Sequence, residues 1–148
     1  NVYLNGEDVT RKIRTNEVTK LASPVSAPRP VREILVTKQQ ELAHRAENGV
    51  VMDGRDIGTV VLTDANLKIY QVASSRIRAE RRYQENIQKG IECDLDALEK
   101  EIAHRDYLDM NKGYGSLKKA DDAIELDTSH MSIEEVVDFI YNKALELM

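Results

Sequence analysis

The feature that most constrains this chain is an alternation of hydrophobic periods. Segments with apolar residues at helical spacing are interleaved with short apolar runs too brief for helices. Val31, Ile34, Leu35, Leu42, Ala43 and Ala46 recur at helical intervals, and Gly49 after Asn48 supplies a stop. The run Val50-Val51-Met52 follows at once. Leu67–Ala73 alternates like a strand, with Ser74-Ser75 placed to cap a helix from about Arg76 to Lys89-Gly90. Asp94 is placed to cap a further helix carrying Leu95, Leu98 and Ile102, and Gly113-Tyr114-Gly115 breaks it. Ala123–Asp127 reads as another strand. Ser132-Ile133-Glu134-Glu135 then forms a capping box for a last helix whose apolar face holds Ile133, Val136, Val137, Ile140, Ala144 and Met148. Helix, strand, strand, two helices, strand and helix in this order predict an α/β fold with a mainly parallel sheet.

Before Val31 the pattern differs. Val2–Val9 enters and leaves an Asn5-Gly6 pair, a strong hairpin signal because a type I′ turn needs positive φ at both central positions. Thr10–Lys20 has helical potential, and Ser23–Pro30 contains all three prolines, so it reads as a connector or hinge. With 148 residues, 32% of them charged, 41% hydrophobic and a net charge of −5, the chain suits one globular domain with a sizeable core. The acidic balance argues against a nucleic-acid partner. No apolar stretch approaches the ~18 residues of a membrane span, no signal peptide opens the chain, and a cytoplasmic location is expected. The lone Cys93 suggests neither a disulfide nor a metal site.

Chemistry concentrates after the run at Val50, where Asp53-Gly54-Arg55-Asp56-Ile57-Gly58-Thr59 follows directly. If Val50–Met52 is a buried parallel strand, this loop lies at its carboxyl end, where ligands collect in open α/β sheets. A plain strand followed by a polar turn is the competing reading. Arg76, Arg78, Arg81 and Arg82 crowd one helix, and Arg78 and Arg82, four apart, share a face on which two donor forks suit polyphosphate. A solvated face paired with Glu80 and Glu85 is the alternative. Arg105 and Asp109 are also four apart, fitting either a ribose hydroxyl and a phosphate or an intrahelical ion pair.

The run Asp53–Thr59, taken with Leu4–Val9, Ile13-Arg14-Thr15, Pro30-Val31-Arg32-Glu33 and Arg105-Asp106-x-x-Asp109, resembles bacterial cytidylate kinase across essentially the whole chain and in the family's order. The resemblance implies an α/β P-loop-kinase fold of the nucleoside monophosphate kinase type, its mainly parallel sheet flanked by helices. Residues 1–30 would be the remainder of the monophosphate-binding insert, and residues 31–148 a kinase core with an arginine-rich lid near 76–115. It implies transfer of phosphate from ATP, with Mg2+, to CMP or dCMP, and a monomer at full length. Ser23, Arg105 and Asp109 would face the ribose, Arg32 and Asp56 the cytosine, and Arg55 the acceptor phosphate. Asp53 would orient magnesium through water, Arg78 and Arg82 would close on ATP, and Lys112 stands where the family more often has a substrate-contacting arginine.

One motif is absent from these 148 residues: Gly-x-x-x-x-Gly-Lys-Ser/Thr, whose backbone amides cradle phosphate. In the family that loop lies near the N-terminus, so the chain is expected to begin beyond it, to leave a gap in the sheet between the strands at Val50 and Leu67, and to be inactive alone. A CMP-binding module without catalysis, and a structural piece that needs an N-terminal partner, remain open alternatives.

Overall fold

A computed structural model describes residues 1–147; Met148 and the side chains of Asn16, Thr19, Lys20 and Ser23 lie outside the described residues. The chain divides into two compact units, Asn1–Val50 and Val51–Met148.

The first unit opens with the hairpin that Asn5-Gly6 encodes. Strands β1 (Tyr3–Leu4) and β2 (Glu7–Asp8) pair antiparallel, and Asn5 and Gly6 both take positive φ, 51° and 84°. Thr10 closes the hairpin's open end: its hydroxyl accepts from Val2 N at 2.7 Å, and its own amide donates to the Asp8 carboxylate at 2.9 Å. A 3-10 turn leads to helix α1 (Asn16–Ser26), with Thr15 accepting from Val18 N as its cap. Helix α2 (Arg29–His44) follows, and Val9 and Val36 are this unit's buried apolar residues.

The proline-rich segment is therefore not wholly a connector. Pro24 lies inside α1, and the break is confined to the junction at Ala27-Pro28. Proline in a last turn deletes one amide donor, and the helix ends two residues later, so little ladder is lost. Pro30 sits in the first turn of α2, where amides have no intrahelical acceptor and proline is tolerated.

The second unit holds a two-stranded parallel sheet, β3 (Ile69–Val72) against β4 (Ile124–Asp127), in register Ile69 to Ile124 through Val72 to Asp127. Between them run α3 (Ser75–Gln88) and α4 (Leu95–Asn111), which pack on each other, and after them comes α5 (Ile133–Leu145). Each helix starts on its expected cap. Ser74 accepts from Ile77 N, Asp94 from Ala97 N, and Ser132 and Glu135 complete a reciprocal capping box. Val61, Ala79 and Leu126 are the buried apolar residues of this unit.

The strand expected at Val50–Met52 is not formed. Among the described residues no ladder joins it to β3 or β4, and Val51 is 98% exposed. Apolar character alone does not make a strand, because the backbone must find a partner edge. The two strands that do pair, β3 and β4, lie directly beside each other. No described helix is long and apolar enough to cross a membrane.

Candidate nucleotide-phosphate site

Immediately after the exposed Val51, the chain tightens. Asp53 and Gly54 are exposed, Arg55 is half-buried and Asp56 is buried. A single π-type turn over Ile57–Val61 holds this loop, with Val60 N donating to Asp56 O at 2.9 Å and Leu62 N to Ile57 O at 2.7 Å. Such turns recur where a site needs a local re-aiming of side chains. Both loop glycines are closely approached: a Cβ at Gly54 would meet Ile57 Cγ1 at 3.0 Å, and one at Gly58 the Lys68 stem at 3.2 Å. That stem is anchored, because Lys68 Nζ donates to Thr63 O at 2.6 Å and to Asp122 at 2.7 Å. The lysine holds the Asp122 carboxyl below its ordinary range.

Helix α4 receives the arginine that this loop presents. Arg55 Nε lies 2.8 Å from Asp109 Oδ2, Arg105 Nε lies 4.0 Å from the same oxygen, and Lys112 Nζ lies 3.4 Å from Oδ1. Three cations thus converge on one carboxylate whose side chain is only 15% exposed. The Oδ2 atom is buried and makes no aligned hydrogen bond, so the Arg55 contact is one of charge rather than of directed donation. The helix end beside it is closed by the chain itself. Gly113 and Gly115 take positive φ, 75° and 69°, and Leu117 N returns to donate to Asp109 O at 2.8 Å.

One turn back on α4, Asp106 receives Arg78 from α3. Nη1 donates to Oδ1 at 3.0 Å, Nη2 closes on Oδ2, and Arg78 Nε donates to Ala73 O at 3.1 Å. The hydrogen bonds from Arg78 hold the Asp106 carboxyl below the usual carboxylate range, and the charges of Arg55 and Arg105 lower it further. Asp106 and Asp109 are therefore two carboxylates set among Arg55, Arg78, Arg105 and Lys112. The four cations outnumber the two anions, which leaves net positive charge for a dianion such as phosphate.

The other arginines of α3 do different work. Arg76 is taken up by Glu80, Asp96 and Glu99, which raise its pKa and brace α3 to α4. Arg81 donates to Thr128 O, at the end of β4. Arg82 is exposed, with no ion pair among the described residues. Hence Arg78 and Arg82, though on one helical face, differ: one is clamped and the other open.

The first unit carries the remaining expected residues. Arg32 is half-buried near the start of α2, where Arg29 Nε pairs with Glu33 at 2.8 Å. The side chain of Ser23, expected at the ribose, lies outside the described residues. Asp106 had no role on sequence grounds. Its spacing of three from Asp109, beside Arg105, was the available signal that it shares that carboxylate's face.

A profile of the family described as cytidylate kinase matches residues 1–146. The chain belongs to that family. It is 52% identical over 147 residues to the cytidylate kinase of Streptococcus thermophilus LMD-9, and 55% identical over 147 residues to that of Streptococcus sanguinis SK36. Each match covers 99% of this chain and 64% of the relative. Against the cytidylate kinase of Bacillus thuringiensis Al Hakam, identity is 57% over 136 residues, which are 92% of this chain and 60% of that protein. The chain thus spans less than two thirds of the length of these curated relatives. Cytidylate kinases are nucleoside monophosphate kinases, and their fold family is the α/β type to which the parallel β3–β4 pair and its helices conform.

Proposed function

We propose that these residues form the acceptor and lid portion of an ATP-dependent kinase that converts CMP, and dCMP, to the diphosphate. The observation that carries this reading is the convergence of Arg55, Arg105 and Lys112 on Asp109, a carboxylate occupying ground that a substrate phosphate and ribose would share. Substrate binding is then an exchange of partners. The CMP phosphate draws the planar fork of Arg55 away from Asp109, and Asp109 with Arg105 turns to the ribose hydroxyls, a role to which the family resemblance also assigns Ser23. Asp56 accepts from the exocyclic amino group of cytosine, with Arg32 at the base. Uracil offers a carbonyl oxygen at that place, so two acceptors would face each other, which penalises the wrong base.

Phosphoryl transfer asks mainly for alignment and for neutralisation of spreading negative charge. Arg78 and Arg82 supply that charge over ATP, from a lid spanning about residues 76–115, and its closure excludes water. Magnesium bound with ATP would supply further neutralisation of the donor phosphates. Asp53, an exposed lone carboxylate at the head of the loop, suits an ion held chiefly by phosphates and water, and no preformed cluster of three acidic, histidine or cysteine ligands occurs among the described residues. The wider reading is of a mainly parallel sheet completed beyond β3 and β4, residues 1–30 serving the monophosphate-binding insert and 31–148 the core. It also includes a cytoplasmic, monomeric enzyme.

The test has two parts. At the full length of its relatives, the protein is expected to form ADP from ATP and CMP, and Arg55→Ala to lower kcat/KM by about 10- to 150-fold, the equivalent of one charge-assisted bond. No CMP-dependent ADP formation would refute the enzyme reading. The 148 residues alone contain no Gly-x-x-x-x-Gly-Lys-Ser/Thr, which favours a second reading for them in isolation: a module that binds CMP without catalysis. Calorimetric titration with CMP and then ATP separates it from a piece that binds neither.

A further inference from the structure

Arg78 is held in a way that no other arginine of α3 is. Three of its five N–H groups are spoken for: Nε on Ala73 O, and one from each terminal nitrogen on the two oxygens of Asp106. The guanidinium plane is thereby fixed at three points, while one N–H on each terminal nitrogen remains. The pair is neither sealed nor loose, the side chains being 34% and 19% exposed. Arg76 divides its bonds among three carboxylates, Arg81 turns to Thr128 and the Met131 carbonyl, and Arg82 makes no ion pair among the described residues. Arg78 is the one of these four whose two terminal nitrogens are gripped by the two oxygens of a single carboxylate, with an N–H on each still able to donate outward.

We propose that Asp106 is a positioning residue that aims Arg78 at the donor phosphates and holds it beside the acceptor-side arginines, a role resting on the kinase reading above. Without the carboxylate, Arg78 would lose the two-oxygen acceptor that fixes its plane and the anion that offsets its repulsion from Arg55 and Arg105, and rotamer freedom would move it out of line. With it, a donor fork waits in place, and forming the transition state requires no reorganisation of that group. Asp106 touches no reacting atom and acts only through Arg78.

The experiment compares wild type, Asp106→Asn, Asp106→Glu, Arg78→Ala and the Asp106→Asn/Arg78→Ala double variant at the relatives' full length, assayed below the melting temperature of each. Asp106→Asn is expected to lower kcat by about 10- to 100-fold while KM for CMP stays within about threefold. Asp106→Glu, which keeps a two-oxygen acceptor, recovers part of the loss. Arg78→Ala costs at least as much as Asp106→Asn, and adding Asp106→Asn to it costs less than about twofold more. Asp106→Asn with wild-type kcat, or a loss of the same factor in both backgrounds, overturns the proposal. A wild-type protein that phosphorylates no CMP would refute the kinase reading, and the clamp is then read by NMR. A slowly exchanging Arg78 Nε–H resonance that disappears in Asp106→Asn supports the positioning, and an unchanged resonance overturns it.

Discussion

Within the second unit, the α3–α4 pair and helix α5 treat their side chains oppositely. Across α3 and α4 the charges find partners far away in sequence: Arg76 with Asp96 and Glu99, Arg78 with Asp106, and Arg55 with Asp109. On α5 the backbone ends are well capped, yet the apolar stripe is only half covered. Val136, Ile140 and Ala144 are half-buried, whereas Ile133 is 80% exposed and Val137 and Tyr141 are also exposed. Charged side chains therefore find partners across the α3–α4 region, whereas hydrophobic burial is incomplete along α5. Ion pairs need only two groups brought within reach; an apolar face needs an opposing layer.

The sharpest way to break this comparison is Asp106→Ala. It leaves a half-buried guanidinium without its carboxylate and is expected to destabilise the 148-residue chain by about 1–3 kcal/mol in urea unfolding. An effect below ~0.5 kcal/mol would make the pair ornamental. Acid probes the same contact reversibly. The folded pKa of Asp106 is depressed, so its contribution is fully present above the unfolded value of about 3.9 and is lost as pH falls through the lower folded value. Amide exchange across the α3–α4 contact is expected to accelerate below about pH 4, and rates independent of pH there after correction for intrinsic exchange would contradict it.

Ser132→Ala removes one half of the capping box and is expected to cost about 1 kcal/mol, read as a lower unfolding midpoint with an unchanged slope. Smallest of all should be Ile133→Ser. With the side chain in solvent, the expected change is within about 0.5 kcal/mol, and a loss well above that would mean the α5 stripe is covered in solution after all.

Much of the fold was legible because its signals are local. Asn5-Gly6, Ser74, Asp94 and Ser132 each act on a backbone within a few residues, so hairpin and helix starts fall where those residues stand. The site was legible in part. Arg55, Arg105, Asp109 and Lys112 do gather, but the suggested intrahelical pair between Arg105 and Asp109 is a long 4.0 Å contact, and Arg55 holds the nearer place at 2.8 Å. Nor does Arg78 pair with Glu80, as a solvated helix face would have it; its carboxylate comes from α4.

By itself, then, the amino-acid order determined where elements begin, where glycine must turn the chain, and which charged residues were available. Tertiary structure alone decided whether Val50–Met52 becomes a strand, which helix face each arginine of α3 serves, and that Asp106 rather than a neighbour on α3 orients Arg78. The reason is the reach of the interactions. Caps and turns are settled within one helical turn, whereas a ladder edge or an ion-pair partner depends on residues brought close only by packing.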